Sequence, residues 1–184
     1  MNERIAVVTG ALSATAEEVK HKFGEFSTEQ LNWKRAENSW SVGQCLEHLI
    51  KTNCEFFPEF ENLASGNRQN TFWQSRSPFT GFFGRFLIKA VSEDSKKVKA
   101  PSRRIVPPSD VSADIVGRFV ENIADVNTRV NACAHADLQK TVVSSPFFGL
   151  MTYRLDDSYT VLVEHTKRHI RQADRVVQSP GFPA

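Results

Sequence analysis

Two imidazoles stand four residues apart in His165-Thr-Lys-Arg-His169-Ile-Arg-Gln172, near the C-terminal end of the sequence. In a helix, residues at i and i+4 sit one above the other on one face, so both rings can reach a common point. Neutral imidazole suits zinc, nickel, copper and iron, which makes such a pair half of a transition-metal site. The face they occupy matters more than the spacing. Leu155, Tyr159, Leu162, Thr166, His169, Ala173 and Val176 recur as one stripe, and His165 lies just beside it. Polar rings turned toward a core need partners, because an unsatisfied buried polar group costs roughly 1–3 kcal/mol.

A catalytic zinc site normally has three protein ligands and an open position for water or substrate. The third histidine must come from His21, His48 or His135. His21 stands among lysines, off the stripe of the first helix. His135 belongs to a Cys-Ala-His-Ala-Asp connector beyond the third. His48 lies two turns into a helix whose Cys45–His48–Thr52 face borders its apolar stripe, so the ring can point inward. We assign the third position to His48.

The elements that would hold these rings read as helices. Ile5, Val8, Leu12, Ala16 (or Thr15), Val19, Phe23 and Phe26 predict a helix over about 3–26, broken at Ser27-Thr-Glu, with Leu31 to Arg35 as connector. Ser41-Val-Gly-Gln44 fits a capping box, and Trp40 before it is placed to staple against Cys45. Val42, Leu46, Leu49, Asn53, Phe56 and Phe60 then give the buried face of a second helix. Pro58 predicts a kink or an early end, and Gly66 is a stop signal.

Residues 67–108 are of a different kind, rich in Asn, Gln, Ser and Pro at the edges and phenylalanine at the centre. A connection this long usually serves function or carries its own helix, which we place at about Phe79–Val91. The third helix is expected from near Ser109 to Cys133, with Val111, Ile115, Phe119, Ile123 (or Asn122), Val126 and Val130 inward and Asp110 and Asp114 at its positive end. Leu138–Leu150 reads as connector, and the fourth helix as about Thr152–Gln178. No convincing strand is found. The reading is an all-α four-helix bundle, a single domain over 1–184, with a long crossover between helices 2 and 3.

Composition narrows the function classes. The 184 residues include 40% hydrophobic types and 14 phenylalanines, enough for a core. A formal charge of +2 does not favour nucleic acid. Cys45, Cys54 and Cys133 are too few and scattered for a disulfide framework, which points to a reducing, cytoplasmic setting. No apolar run approaches the roughly 20 residues of a membrane span. Ala14-Thr-Ala16 imitates a leader-cleavage site, but the helical register continues past it, so no leader is read there.

Trp40-Ser41, Glu47-His48-Leu49, Phe148-Gly149 and His165-x-x-Arg168-His169-x-x-Gln172, in this order and spacing, resemble the DinB-like (DinB/YfiT) superfamily of metalloenzymes. The resemblance covers most of the chain; the first helix and the 67–108 crossover match only in kind. It implies a four-helix bundle, often dimeric, whose metal is held by one histidine of the second helix and two of the fourth: here His48, His165 and His169. Some members are thiol-dependent, using bacillithiol or mycothiol, with the metal thought to activate the thiol as thiolate. A coordinating cation does favour that form.

Each signal has a duller counterpart. Gln172 and Arg168 read equally as groups supporting the metal-bound rings and as edge residues. Cys45 is read as a small buried side chain, Trp40 as a packing anchor, and Asp156 and Asp157 as helix N-terminal charges. The basic run Lys96–Arg104 is read as a solvated loop, and Phe79–Ile88 as a cover for the bundle. The leading expectation is a cytoplasmic enzyme with a divalent transition metal, zinc or nickel, that transfers a low-molecular-weight thiol to a small-molecule substrate. A homodimer is expected, with neither nucleic acid nor membrane as partner. The alternatives are a hydrolase, for which no separate general base is apparent, and a non-catalytic metal-stabilised scaffold for dimerisation or binding.

Overall fold

The apolar stripes close against one another as four long helices. The computed structural model describes residues 2–66, 79–92 and 101–184. Helix α1 (Glu3–Phe23) opens on Asn2, whose side chain accepts the Arg4 N–H, and buries Ile5, Val8, Leu12, Ala16, Val19 and Phe23. It ends three residues before the sequence predicts. A second capping box explains why: Ser27 Oγ accepts from Gln30 N, and Gln30 Oε1 accepts from Ser27 N at 2.8 Å. The chain thereby starts a short helix, α2 (Thr28–Asn32), where a connector was expected.

Helix α3 (Val42–Ala64) begins at the expected box of Ser41 and Gln44. It runs on past Pro58 and ends at Ala64 with Ser65 as its C-cap, after which Gly66 takes φ 69°, the left-handed conformation that favours glycine. Within the crossover, α4 spans Thr80–Ser92, close to the predicted helix. A 3₁₀ turn follows at Arg103–Ile105. Residues 67–78 and 93–100, including most of the basic run, lie outside the described residues.

Helix α5 (Ile115–Ala132) starts six residues later than expected. The Asn32 amide holds both backbone groups of Val111, accepting its N–H at 2.8 Å and donating to its carbonyl at 2.9 Å. Val111 is therefore buried as part of an extended lead-in, and Asp110 is not at the helix end. Asp114 occupies the N-cap position but caps nothing, accepting instead from Ser112 Oγ.

The expectation of no strand is corrected by a small hairpin. Strands β1 (Val142–Ser144) and β2 (Thr152–Arg154) pair antiparallel, Val143 opposite Tyr153. Ser145 N–H donates to the Met151 carbonyl at 2.8 Å, closing the loop between them. Three-residue strands leave too little alternation to read in a sequence. Helix α6 (Leu155–Val177) consequently begins three residues later than predicted.

In cross-section the long helices form a ring: α1 packs on α5 and α6, and α3 packs on the same two. The core is supplied by the predicted stripes, joined by an internal amide pair in which Asn53 Nδ2 donates to Asn122 Oδ1 at 2.8 Å. Ion pairs brace the rim, Arg4 to Asp156 at 2.6 Å and Lys22 to Asp174 at 3.0 Å between α1 and α6. Arg129 pairs with Glu61 at 2.9 Å and lies over the Phe57 ring. At Gly43 a Cβ would overlap the Val111 side chain and press on the Leu31 carbonyl. Gly43→Ala is therefore expected to destabilise the fold by about 1–3 kcal/mol, read as a lower urea midpoint at unchanged slope.

Candidate metal centre

The capping box at Ser41 fixes where α3 begins, and so which residues face inward one and two turns later. Three side chains of one α3 face then grip the end of the crossover. Gln44 Nε2 donates to the Pro108 carbonyl at 2.6 Å, and Lys51 Nζ donates to the Val106 carbonyl at 3.1 Å. Between them, His48 Nδ1 lies 2.7 Å from the Ile105 carbonyl. A carbonyl only accepts, so Nδ1 carries the proton and Nε2 presents a lone pair.

From α6, His165 and His169 reach the same point. The ligand atoms of His48, His165 and His169 all lie within 4.8 Å of one another. His48 Nε2 and His165 Nε2 are 3.3 Å apart, the edge of a tetrahedron with bonds of about 2.0–2.1 Å. His169 Nδ1 is 3.0 Å from Gln172 Oε1; the amide oxygen accepts its proton and leaves the other ring nitrogen available. Two of the three rings thus have the outer partner that metal-bound histidines commonly use. Trp40 presses on His48 and His169, with ring centroids at 4.8 and 5.7 Å. Trp40 packs against the core as expected of an anchor, and the imidazoles are among its neighbours.

All three rings favour the neutral form. Burial holds the His48 pKa below its ordinary value, with Arg168 and Lys51 adding to the effect. Burial first, then the neighbouring rings and Arg168, push His165 well down. Burial, His48 and Arg168 lower His169 to about 3. The lone pairs needed for coordination are available at neutral pH.

The cluster opens onto a cavity of about 400 Å³. α4 supplies one wall through Phe86, Leu87, Ala90 and Val91; the hairpin supplies another through Ser145, Phe147, Phe148 and Tyr153. Arg168 also lines it and donates to the Ala90 carbonyl at 3.0 Å, tying α6 to the last turn of α4. No carboxylate lines this space among the described residues.

The remaining sequence candidates fall elsewhere. His21 and His135 are exposed. Cys45 is fully buried, its thiol pushed up to about 12 by desolvation, and does not line the cavity. Asp156 pairs with Arg4, while Asp157 accepts the Arg154 N–H and abuts Gly84 of α4. The Ile105 carbonyl could not be found by inspecting side chains, since a backbone acceptor leaves no residue-type signal.

A family model described as the DinB superfamily matches residues 11–173. The chain belongs to the DinB superfamily. No curated protein and no solved structure gives a significant match. The superfamily match spans α3 and all but the last turn of α6, so it contains every residue of this DinB cluster.

Two outcomes follow. Gln172→Leu is expected to weaken metal uptake by roughly 10–100-fold with the fold retained, measured by competition with a chromogenic chelator. The metal-free protein is expected to lose stability as pH falls below about 6.5 toward 3. The sign follows because the unfolded chain takes up protons there that the buried rings refuse. Denaturant midpoints against pH should show a shallower fall in His169→Phe.

Proposed function

We propose that this DinB superfamily member is a metal-dependent enzyme that activates a low-molecular-weight thiol for transfer to a small electrophile. One observation carries the reading. His48, His165 and His169 form a three-ligand group at a cavity wall, with no fourth histidine, cysteine or carboxylate joining it among the described residues. A structural site is closed by four protein ligands, whereas three leave a position for a reactant. That contrast favours the enzyme over the scaffold.

Three neutral imidazoles would leave the full charge of a divalent cation, zinc or nickel in this reading, uncompensated. When bound, such a cation lowers the pKa of a thiol and favours its thiolate. The chain's own residues support an anion at the same place. The apolar walls limit the water that would screen the charge of a bound cation. Ile105 and Gln172 keep protons on the Nδ1 atoms, away from the reactant. Trp40 fixes two ring planes. In the transfer the thiol would give its proton to solvent, and the sulfur would form a bond to the electrophile's carbon as the leaving group departs with the bonding pair.

A cytoplasmic location and a homodimer belong to the same reading. Phe79, Phe82 and Phe86 leave an exposed apolar strip on and beside α4, a surface that a second copy would cover. Among the described residues no helix is long and apolar enough to cross a membrane.

Metal content of the purified protein, measured by mass spectrometry beside His169→Ala, tests the reading. Near-stoichiometric transition metal, lost in the variant while helicity persists, is expected. A protein that arrives metal-free and takes up neither zinc nor nickel would overturn it.

A further inference from the structure

The threonines inside the described helices, beyond the first residue of each, follow one habit with one exception. Thr9, Thr15, Thr128, Thr160 and Thr166 each turn the hydroxyl back to the carbonyl four residues earlier. Thr52 does not. It is only 5% exposed, and its Oγ1 has no hydrogen-bond partner among the described residues. The corresponding carbonyl is that of His48, and threonine has a helical rotamer that would reach it. The hydroxyl as placed is unsatisfied.

Its position gives that arrangement a use. Thr52 lines the cavity and stands one turn along α3 from His48, on the same face. Among the described residues, the buried polar side-chain atoms without a hydrogen-bond partner belong to four residues, and of these Thr52 alone lines the cavity. Around it the wall is largely aromatic and aliphatic, with Phe56 on the same helix. An orphan hydroxyl in such a wall destabilises the free protein, and a ligand that hydrogen-bonds to it removes the penalty. Buried polar groups of this kind reject analogues that lack the matching atom.

We propose that Thr52 Oγ1 is a specificity-determining contact for the bound small molecule. The site selects a thiol carrying a hydrogen-bonding group within two or three carbons of its sulfur, the remainder being apolar. Thr52 stands one turn from His48, about 5–6 Å apart at Cβ, so its hydroxyl is a neighbour of the cluster and within reach of a short thiol. The ligand class rests on the thiolate reading given above; the role of Thr52 rests on its orphan hydroxyl.

The test compares the cobalt-loaded wild type with Thr52→Val, which keeps the shape and removes the hydroxyl. Each is titrated with 2-mercaptoethanol, 3-mercaptopropan-1-ol and their methyl counterparts 1-propanethiol and 1-butanethiol, following thiolate-to-cobalt charge-transfer absorption. In the wild type at least one hydroxythiol should be favoured over its methyl counterpart by about 2–10-fold more than in the variant, the worth of one hydrogen bond. The metal-free variant should melt at the same temperature as wild type or higher, because an unsatisfied polar atom has been removed. Identical preferences in the two proteins would overturn the Thr52 contact while leaving the thiolate reading intact. A marked fall in melting temperature would also overturn it, by showing that the hydroxyl serves the fold. Absence of the absorption band with all four thiols in the wild type would overturn the thiolate reading and this ligand class together.

Discussion

The hydrogen bond between His48 Nδ1 and the Ile105 carbonyl, 2.7 Å long, joins what the chain folds into to what it can do. It anchors the end of the crossover onto α3, and it also decides which nitrogen of His48 faces the other two histidines. Gln44 and Lys51, on either side of His48 along α3, hold the Pro108 and Val106 carbonyls just beyond Ile105, so the acceptor is placed by three contacts from one helix face. Each latch takes an acceptor in a stretch where Pro107 and Pro108 offer no N–H. The tautomer at the centre is thereby written into the fold rather than left to solvent.

Around that bond, charge is arranged in one direction. The three imidazoles favour the neutral form, Arg168 borders the cavity, and no acidic side chain reaches it among the described residues. Glu47, beside His48 in sequence, is turned away to Arg118 at 3.1 Å. Of the acidic groups of α6, Asp156 is paired with Arg4, Glu164 with Lys167 and Asp174 with Lys22, while Asp157 accepts the Arg154 N–H. Three of these pairs, Glu47–Arg118, Asp156–Arg4 and Asp174–Lys22, also tie one helix to another.

Much of this was legible in the sequence, and the parts that were not share a cause. Long stripes such as Ile5–Phe23 and Leu155–Val176 average over many turns, so the helices and their buried faces are read correctly from period alone. The i,i+4 histidines and the inward placement of His48 follow from the same periodicity. Errors gather where a single non-local contact decides. Asn32 holds Val111 out of α5, across 79 residues of sequence. Ser27 and Gln30 make the same box as Ser41 and Gln44, but without a long stripe behind them to draw notice. The orientation of Trp40, the hairpin and the Ile105 carbonyl depend on packing that no local pattern encodes. Thr52 was visible on the His48 face, yet its missing hydrogen bond is evident only beside the other helical threonines.

The ring order of the long helices separates two tasks. The histidines sit on α3 and α6, so the centre occupies one of the four seams, walled by α4 and the hairpin. The diagonally opposite seam, between α1 and α5, contributes none of the residues that line the cavity. Half the bundle can therefore drift in sequence under selection for stability alone, while the other half and its insertions remain available to be reshaped around new reactants. A scaffold divided in this way can change its chemistry without renegotiating its foundations.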